Sequence, residues 1–151
     1  MENKYAPLFQ PLTIGNMTLK NRIALSPMAS MLAENQIITD KMIAYYADKA
    51  RGGAGMIMTD GFACCSLSGF SRVPALFTPM ILAPLVELTE AVHAGGSKLC
   101  VEFTFGGGRN SANPVTGEAL SSSETAPVGW PDKKCTPMTI EQIHTLVAET
   151  G

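Results

Sequence analysis

Apolar and polar positions change period several times along this 151-residue chain, and each change marks an element. Leu12-Thr13-Ile14 and Met17-Thr18-Leu19 alternate about Gly15-Asn16, which predicts a hairpin with a two-residue turn of type I′ or II′. Arg22-Ile23-Ala24-Leu25-Ser26 reads as a short strand, stopped at Pro27 because proline has no N–H for the ladder. From residue 40 the period becomes helical. Ile43, Tyr46, Ala47 and Ala50 share one face of a helix capped by Thr39 or Asp40, and Gly52-Gly53 ends it. Gly55-Met56-Ile57-Met58-Thr59 is apolar on both faces, as expected of a strand covered on both sides. A second helix is predicted over 81–94, with Pro84 in its first turn and Leu85, Leu88 and Val92 along one face. Gly95-Gly96 closes it, and a third strand follows over 98–104. Residues 105–138 are rich in Gly, Ser, Pro and Thr and read as one long loop, a length usually tied to function or disorder. Thr139 then caps a third helix, Gln142 completes a capping box, and Ile143, Leu146 and Val147 form its apolar face.

Strands that alternate with helices predict a parallel sheet with right-handed crossovers. The fold class expected is therefore α/β, the opening of a parallel barrel. Residues 1–151 form one incomplete domain, because a closed barrel takes about 250 residues.

Composition adds exclusions. An apolar fraction of 46% suits a packed core, and a net charge of -2 with scattered Lys and Arg gives no stripe for nucleic acid. The most apolar stretch, 80–92, is interrupted by Pro84, Glu87 and Glu90, so no membrane span is expected. No apolar leader segment opens the sequence. Cys64, Cys65, Cys100 and Cys135 form no CxxC pair and are expected as reduced thiols in a cytoplasmic protein.

Chemistry in such folds gathers at the carboxyl ends of the strands. Three places qualify: Ser26-Pro27-Met28-Ala29, Thr59-Asp60-Gly61, and Glu102 to Arg109. Alternation on the third strand puts Leu99, Val101 and Phe103 under the helices and Cys100, Glu102 and Thr104 toward the barrel interior. An inward carboxylate needs a partner, such as Arg109, a ligand donor or a proton. Gly106-Gly107-Gly108 permits close approach of backbone to a ligand, yet fits neither G-x-G-x-x-G nor a P-loop. His93 and His144 lie on helices without ligand-spaced neighbours and read as surface residues. Ser26 lacks a base and the G-x-S-x-G elbow, so it does not read as a nucleophile.

Several segments together carry a resemblance. Residues 8–23, LFQPLTIGNMTLKNRI, followed by Ser26-Pro27-Met28, resemble the entry segment of Old Yellow Enzyme type NADH:flavin oxidoreductases. Tyr45 to Gly55 and His93-Ala94-Gly95-Gly96 are similar to later segments of that family, in the same order. Thr104-Phe105-Gly106-Gly107-Gly108-Arg109 is most similar to the branch with 2,4-dienoyl-CoA reductases, enoate reductases and bile-acid enone reductases. The resemblance covers essentially the whole chain. It implies the N-terminal part of a (β/α)8 TIM barrel, truncated after the third strand and the start of the third helix. It also implies FMN as cofactor, NAD(P)H as electron donor, and hydride transfer to an activated alkene of a small-molecule substrate. By the same resemblance Ser26, Pro27, Met28 and Ala29 lie along the flavin, Gly61 sits near it, and Glu102 stands where the family has a glutamine. An ionised glutamate accepts but cannot donate, so Glu102 can take a flavin N–H and cannot serve a ring oxygen unless protonated. The residues that hold a substrate carbonyl, the late-strand phosphate site and the iron–sulfur cysteines of the longer branch have no counterpart in these 151 residues. No catalytic proton donor is named. The alternative expectation is a truncated or split, non-catalytic piece that self-associates or needs a complementary C-terminal chain, since open strand edges invite association.

Overall fold

The computed structural model describes residues 4–68, 72–108, 116–126 and 132–151. The predicted hairpin forms as β1 (Leu12–Ile14) and β2 (Met17–Leu19), antiparallel, with Gly15 at φ 56 in the turn. Then come β3 (Ala24–Leu25), α1 (Asp40–Arg51), β4 (Met56–Ala63), α2 (Leu82–Ala94) and β5 (Lys98–Thr104). The three strands pair in the order β3-β4-β5, all parallel. This is the βαβαβ order expected from the changing period.

Two boundaries differ from expectation. The first strand shrinks to two residues, and past its end the segment at Ala75 pairs with Ala63 in its place. The second strand does not stop at Thr59 but runs to Ala63, so Asp60 and Gly61 lie inside it. The long segment after β5 holds a two-residue parallel ladder, β6 (Leu120–Ser121) with β7 (Thr136–Pro137), before α3 (Ile140–Thr150).

Thr39, not Asp40, caps α1: its Oγ1 accepts the Met42 N–H at 3.3 Å. Asp40 favours the positive end of the dipole from the first turn. Thr139 caps α3 in the predicted reciprocal box with Gln142. Pro84 sits in the first turn of α2, where its missing N–H costs no helical bond.

The core lies between the helices and one face of the sheet. Met42, Tyr46 and Ala50 from α1, Ile57 and Phe62 from β4, and Leu88 and Val92 from α2 are its buried centre. Full burial of each large side chain is worth about 1.5–3 kcal/mol. Met42, rather than Ile43, is the fully buried residue of the first turn of α1, and Ile43 is half-buried beside it. Leu99 and Val101 of β5 pack against the core as expected, whereas Phe103 stays 58% exposed. The apolar face of α3 is likewise not buried among the described residues.

The amino ends of the strands are closed by polar side chains. Lys20 Nζ donates to the Gly95 carbonyl at 2.6 Å and reaches the Ala50 carbonyl at 3.5 Å, so one cation serves the ends of both α1 and α2. Asn21 Nδ2 donates to the Gly53 carbonyl at 2.7 Å, while its Oδ1 accepts the Ile23 N–H at 3.1 Å. Gly55 permits this: a Cβ there would lie 2.6 Å from Asn21 backbone and side-chain oxygens.

Candidate functional site

At the opposite, carboxyl end, the strands open onto a rim. Ser26, Pro27, Met28 and Ala29 leave the sheet directly after β3 and are all exposed, Met28 at 64%. Leu25 pairs with Ile57, so this segment departs beside Met58 of β4. Gly61 is the register partner of Glu102. The six sequence-predicted site residues thus sit on three adjacent parallel strand ends, with β4 between the other two.

A β-bulge sets that arrangement. Met58 pairs with Cys100 and Gly61 with Glu102, so Thr59 and Asp60 together stand opposite Val101 alone. One extra residue flips the alternation along β4. Ile57 before the bulge and Phe62 after it both enter the core, although an unbroken strand would send them to opposite faces. Gly61 is thereby returned to the face of Glu102. A Cβ at Gly61 would lie 2.8 Å from the Thr104 side chain, so only glycine keeps β4 and β5 in this register. Thr59 completes the bulge: its Oγ1 donates to the Asp60 carbonyl at 2.8 Å and accepts the Glu102 N–H at 3.2 Å.

Glu102 is exposed, and its carboxylate has no partner among the described residues. Arg109, the partner suggested by the sequence, lies outside the described residues. Cys100, on the same face of β5, is an exposed thiol. The glycine triplet serves packing: Gly108 N–H bonds the Leu120 carbonyl at 2.6 Å, and a Cβ at Gly107 would lie 2.5 Å from that same oxygen. These glycines hold the chain against β6, which accounts for them without a phosphate cradle. His93 and His144 are exposed, as their helical positions suggest.

Sequence reading singled out Asp60 only as a neighbour of Gly61, and missed its role. Asp60 is fully buried. Its Oδ2 accepts from Ser30 N–H at 3.0 Å and Ser30 Oγ at 2.7 Å, and its Oδ1 accepts from Tyr46 OH at 2.7 Å. The Tyr46 oxygen in turn accepts the Asp60 N–H at 2.7 Å. Burial, reinforced by the bond to Asp60, holds the Tyr46 phenol protonated well above the usual tyrosine range. The available signal was a charged residue directly after an apolar strand.

Two apolar clefts lie elsewhere. One, of about 500 Å³, is lined by Cys64, Phe105, Leu146, Val147 and Thr150; the other, of about 400 Å³, by Leu76, Leu85, Val101, Phe103 and Glu149 among others. Neither is lined by Ser26, Pro27, Met28, Ala29, Gly61 or Glu102, although Phe105 and Phe103 of the third candidate stretch line one each. Burial pushes the neighbouring Cys65 thiol up to about 11, so it is inert at neutral pH. All four cysteines are free, and among the described residues no helix is long and apolar enough to cross a membrane.

Comparison with known proteins gives concordant matches. Cinnamate reductase of Clostridium sporogenes is 28% identical over all of this chain, which spans 24% of that protein. The structure of a 2-naphthoyl-CoA reductase complex superposes with a TM-score of 0.86 at 22% identity, over 96% of this chain and 24% of that one. Old Yellow Enzyme from Pichia sp. superposes with a TM-score of 0.80 at 23% identity, over 95% of this chain and 40% of that one. The chain thus spans about a quarter of the length of the cinnamate reductase it matches. The family model for NADH:flavin oxidoreductase / NADH oxidase matches residues 7–149, and the chain belongs to that family of oxidoreductases.

Proposed function

We propose that the rim formed by Ser26, Pro27, Met28, Ala29, Gly61 and Glu102 holds one edge of an FMN, in an enzyme that uses NAD(P)H to reduce an activated alkene. Candidate substrates are an enone, an enoate or a dienoyl thioester. The donor set fits such a ring. The exposed 26–29 segment offers main chain and small or apolar side chains to a flat, largely apolar surface, and Glu102 offers a ring N–H an acceptor that has no partner among the described residues. When bound, FMN would supply the redox chemistry, hydride transfer between NAD(P)H and the alkene. This chain's residues would orient the ring: Glu102 would hold one polar edge and the 26–29 segment would lie against it, while Gly61 keeps β4 in register with β5. A negative charge at Glu102 opposes gain of negative charge on the ring, which distinguishes this site from one carrying glutamine.

The observation that carries the reading is the bulged pairing of Gly61 with Glu102 at the carboxyl ends of parallel strands, in a chain of this family. Titration of the purified chain with FMN, followed by flavin fluorescence, tests it. Quenching with a saturating isotherm is expected, and Glu102→Gln tightens it about tenfold, roughly one charge-related interaction. An unchanged flavin signal at tens of micromolar protein overturns the reading.

A second reading has its own support. Phe103 at 58% and Val147 at 66% exposure leave apolar surface on β5 and α3. A complementary chain carrying the remaining strands, or a second copy, would cover that surface, and flavin would bind only then. Size-exclusion chromatography separates the two: a cooperative monomer that binds FMN contradicts the second reading. A cytoplasmic setting is inferred for either, on the strength of the four free thiols.

A further inference from the structure

We infer that Asp60 is a positioning residue, a buried carboxylate that latches the 26–31 rim segment to β4 and α1 and so sets the ligand-facing backbone. The part that concerns FMN rests on the function proposed above; the latch itself does not.

The geometry leads to this step by step. The bulge at Thr59-Asp60 removes Asp60 from regular alternation and buries it completely. A buried carboxylate is costly unless its oxygens are satisfied, and here three donors meet it. Two of them belong to one residue of the rim, the N–H and Oγ of Ser30, at 3.0 and 2.7 Å. The third is Tyr46 OH, which also accepts the Asp60 N–H and so fixes the carboxylate from the helix side. Outside Ser30 the rim segment has one further side-chain tie among the described residues, from the exposed Arg72 Nη2 to the Met31 carbonyl at 3.2 Å. Ser26 to Ala29 are exposed, and Met31 adopts φ 57, a left-handed conformation that an unconstrained methionine avoids. Leu32, the next residue, is held by Thr39 Oγ1, which donates to its carbonyl at 2.7 Å. Ser30 is therefore the point at which an exposed, strained segment is tied to the buried frame. Only a carboxylate accepts at both oxygens: asparagine would turn one acceptor into a donor facing either Ser30 or Tyr46.

The test uses the whole chain with the variants Asp60→Asn and Ser30→Ala. Amide exchange at residues 30–32 is expected to speed up about tenfold or more in both, while exchange in α2 is unchanged. Flavin affinity of the folded fraction is expected to weaken about tenfold in Ser30→Ala, the worth of one charge-assisted hydrogen bond, beside the loss of stability that removing this bond brings. A merely structural role predicts the loss of stability alone, with unchanged FMN affinity of the folded fraction, and that result overturns the inference. If Asp60→Asn fails to fold, Ser30→Ala alone decides, because it leaves the carboxylate two donors. If the wild type binds no FMN, the flavin reading fails, and exchange at residues 30–32 still decides the latch: unchanged rates in Ser30→Ala refute it.

Discussion

The two ends of the β3-β4-β5 sheet are built on opposite principles. At the amino end, Lys20 and Asn21 place their polar atoms on carbonyls and N–H groups of helix ends and loops, and Gly55 and Gly95 let backbone close in. At the carboxyl end, Glu102 is left without a partner among the described residues and Ser26 to Ala29 are exposed. The contrast separates stability from function. Polar groups that are satisfied internally hold the frame, and polar groups left open are available to a ligand.

Substitutions should divide along the same line. The largest effect on stability is expected from Gly95→Ala, whose Cβ would lie 2.7 Å from Ala50 Cβ and 2.8 Å from the Ala50 carbonyl carbon. Forcing α1 and α2 apart should cost about 2–3 kcal/mol in denaturant unfolding, with FMN affinity of the folded protein unchanged. Next is Tyr46→Phe, which leaves the buried Asp60 N–H and one carboxylate oxygen short of a partner, for a loss of about 1–3 kcal/mol. Lys20→Met removes the donor shared by two helix ends and should cost about 1 kcal/mol. The smallest effect belongs to the open end. Glu102→Gln and Met28→Ala should change unfolding by less than about 0.5 kcal/mol while altering flavin affinity. A Glu102→Gln variant that unfolds as readily as Gly95→Ala would break the division.

Alkaline pH probes the frame separately. The folded Cys65 thiol is raised from 9.0 to about 11 by burial, and the Tyr46 phenol is raised as well. The unfolded chain therefore loses these protons first, so stability present below pH 9 falls as pH rises through 11. Unfolding midpoints measured from pH 8 to 11 should decline, and Cys65→Ala should flatten the earlier part of that decline.

The order of elements was legible because each change of period is local: the hairpin about Gly15-Asn16, the Thr39 cap and the Thr139-Gln142 box all follow from a few adjacent residues. The bulge was not legible. It depends on pairing between strands some forty positions apart, and alternation along Met56–Ala63 alone places Asp60 and Gly61 on the wrong faces. The Asp60 latch followed it out of sight, because Ser30 and Tyr46 meet only after the fold forms. Phe103 was expected beneath a helix from its alternation with Leu99 and Val101, yet the described residues leave it exposed beside an apolar cleft.

The most direct measurement is amide exchange along the whole chain with and without saturating FMN. Slowed exchange at residues 26–31, 60–63 and 102–104, with residues 20–23 and 95–98 unaffected, is the expected footprint. Protection confined to the amino end of the sheet, or to the cleft beside Cys64 and Leu146, would contradict it.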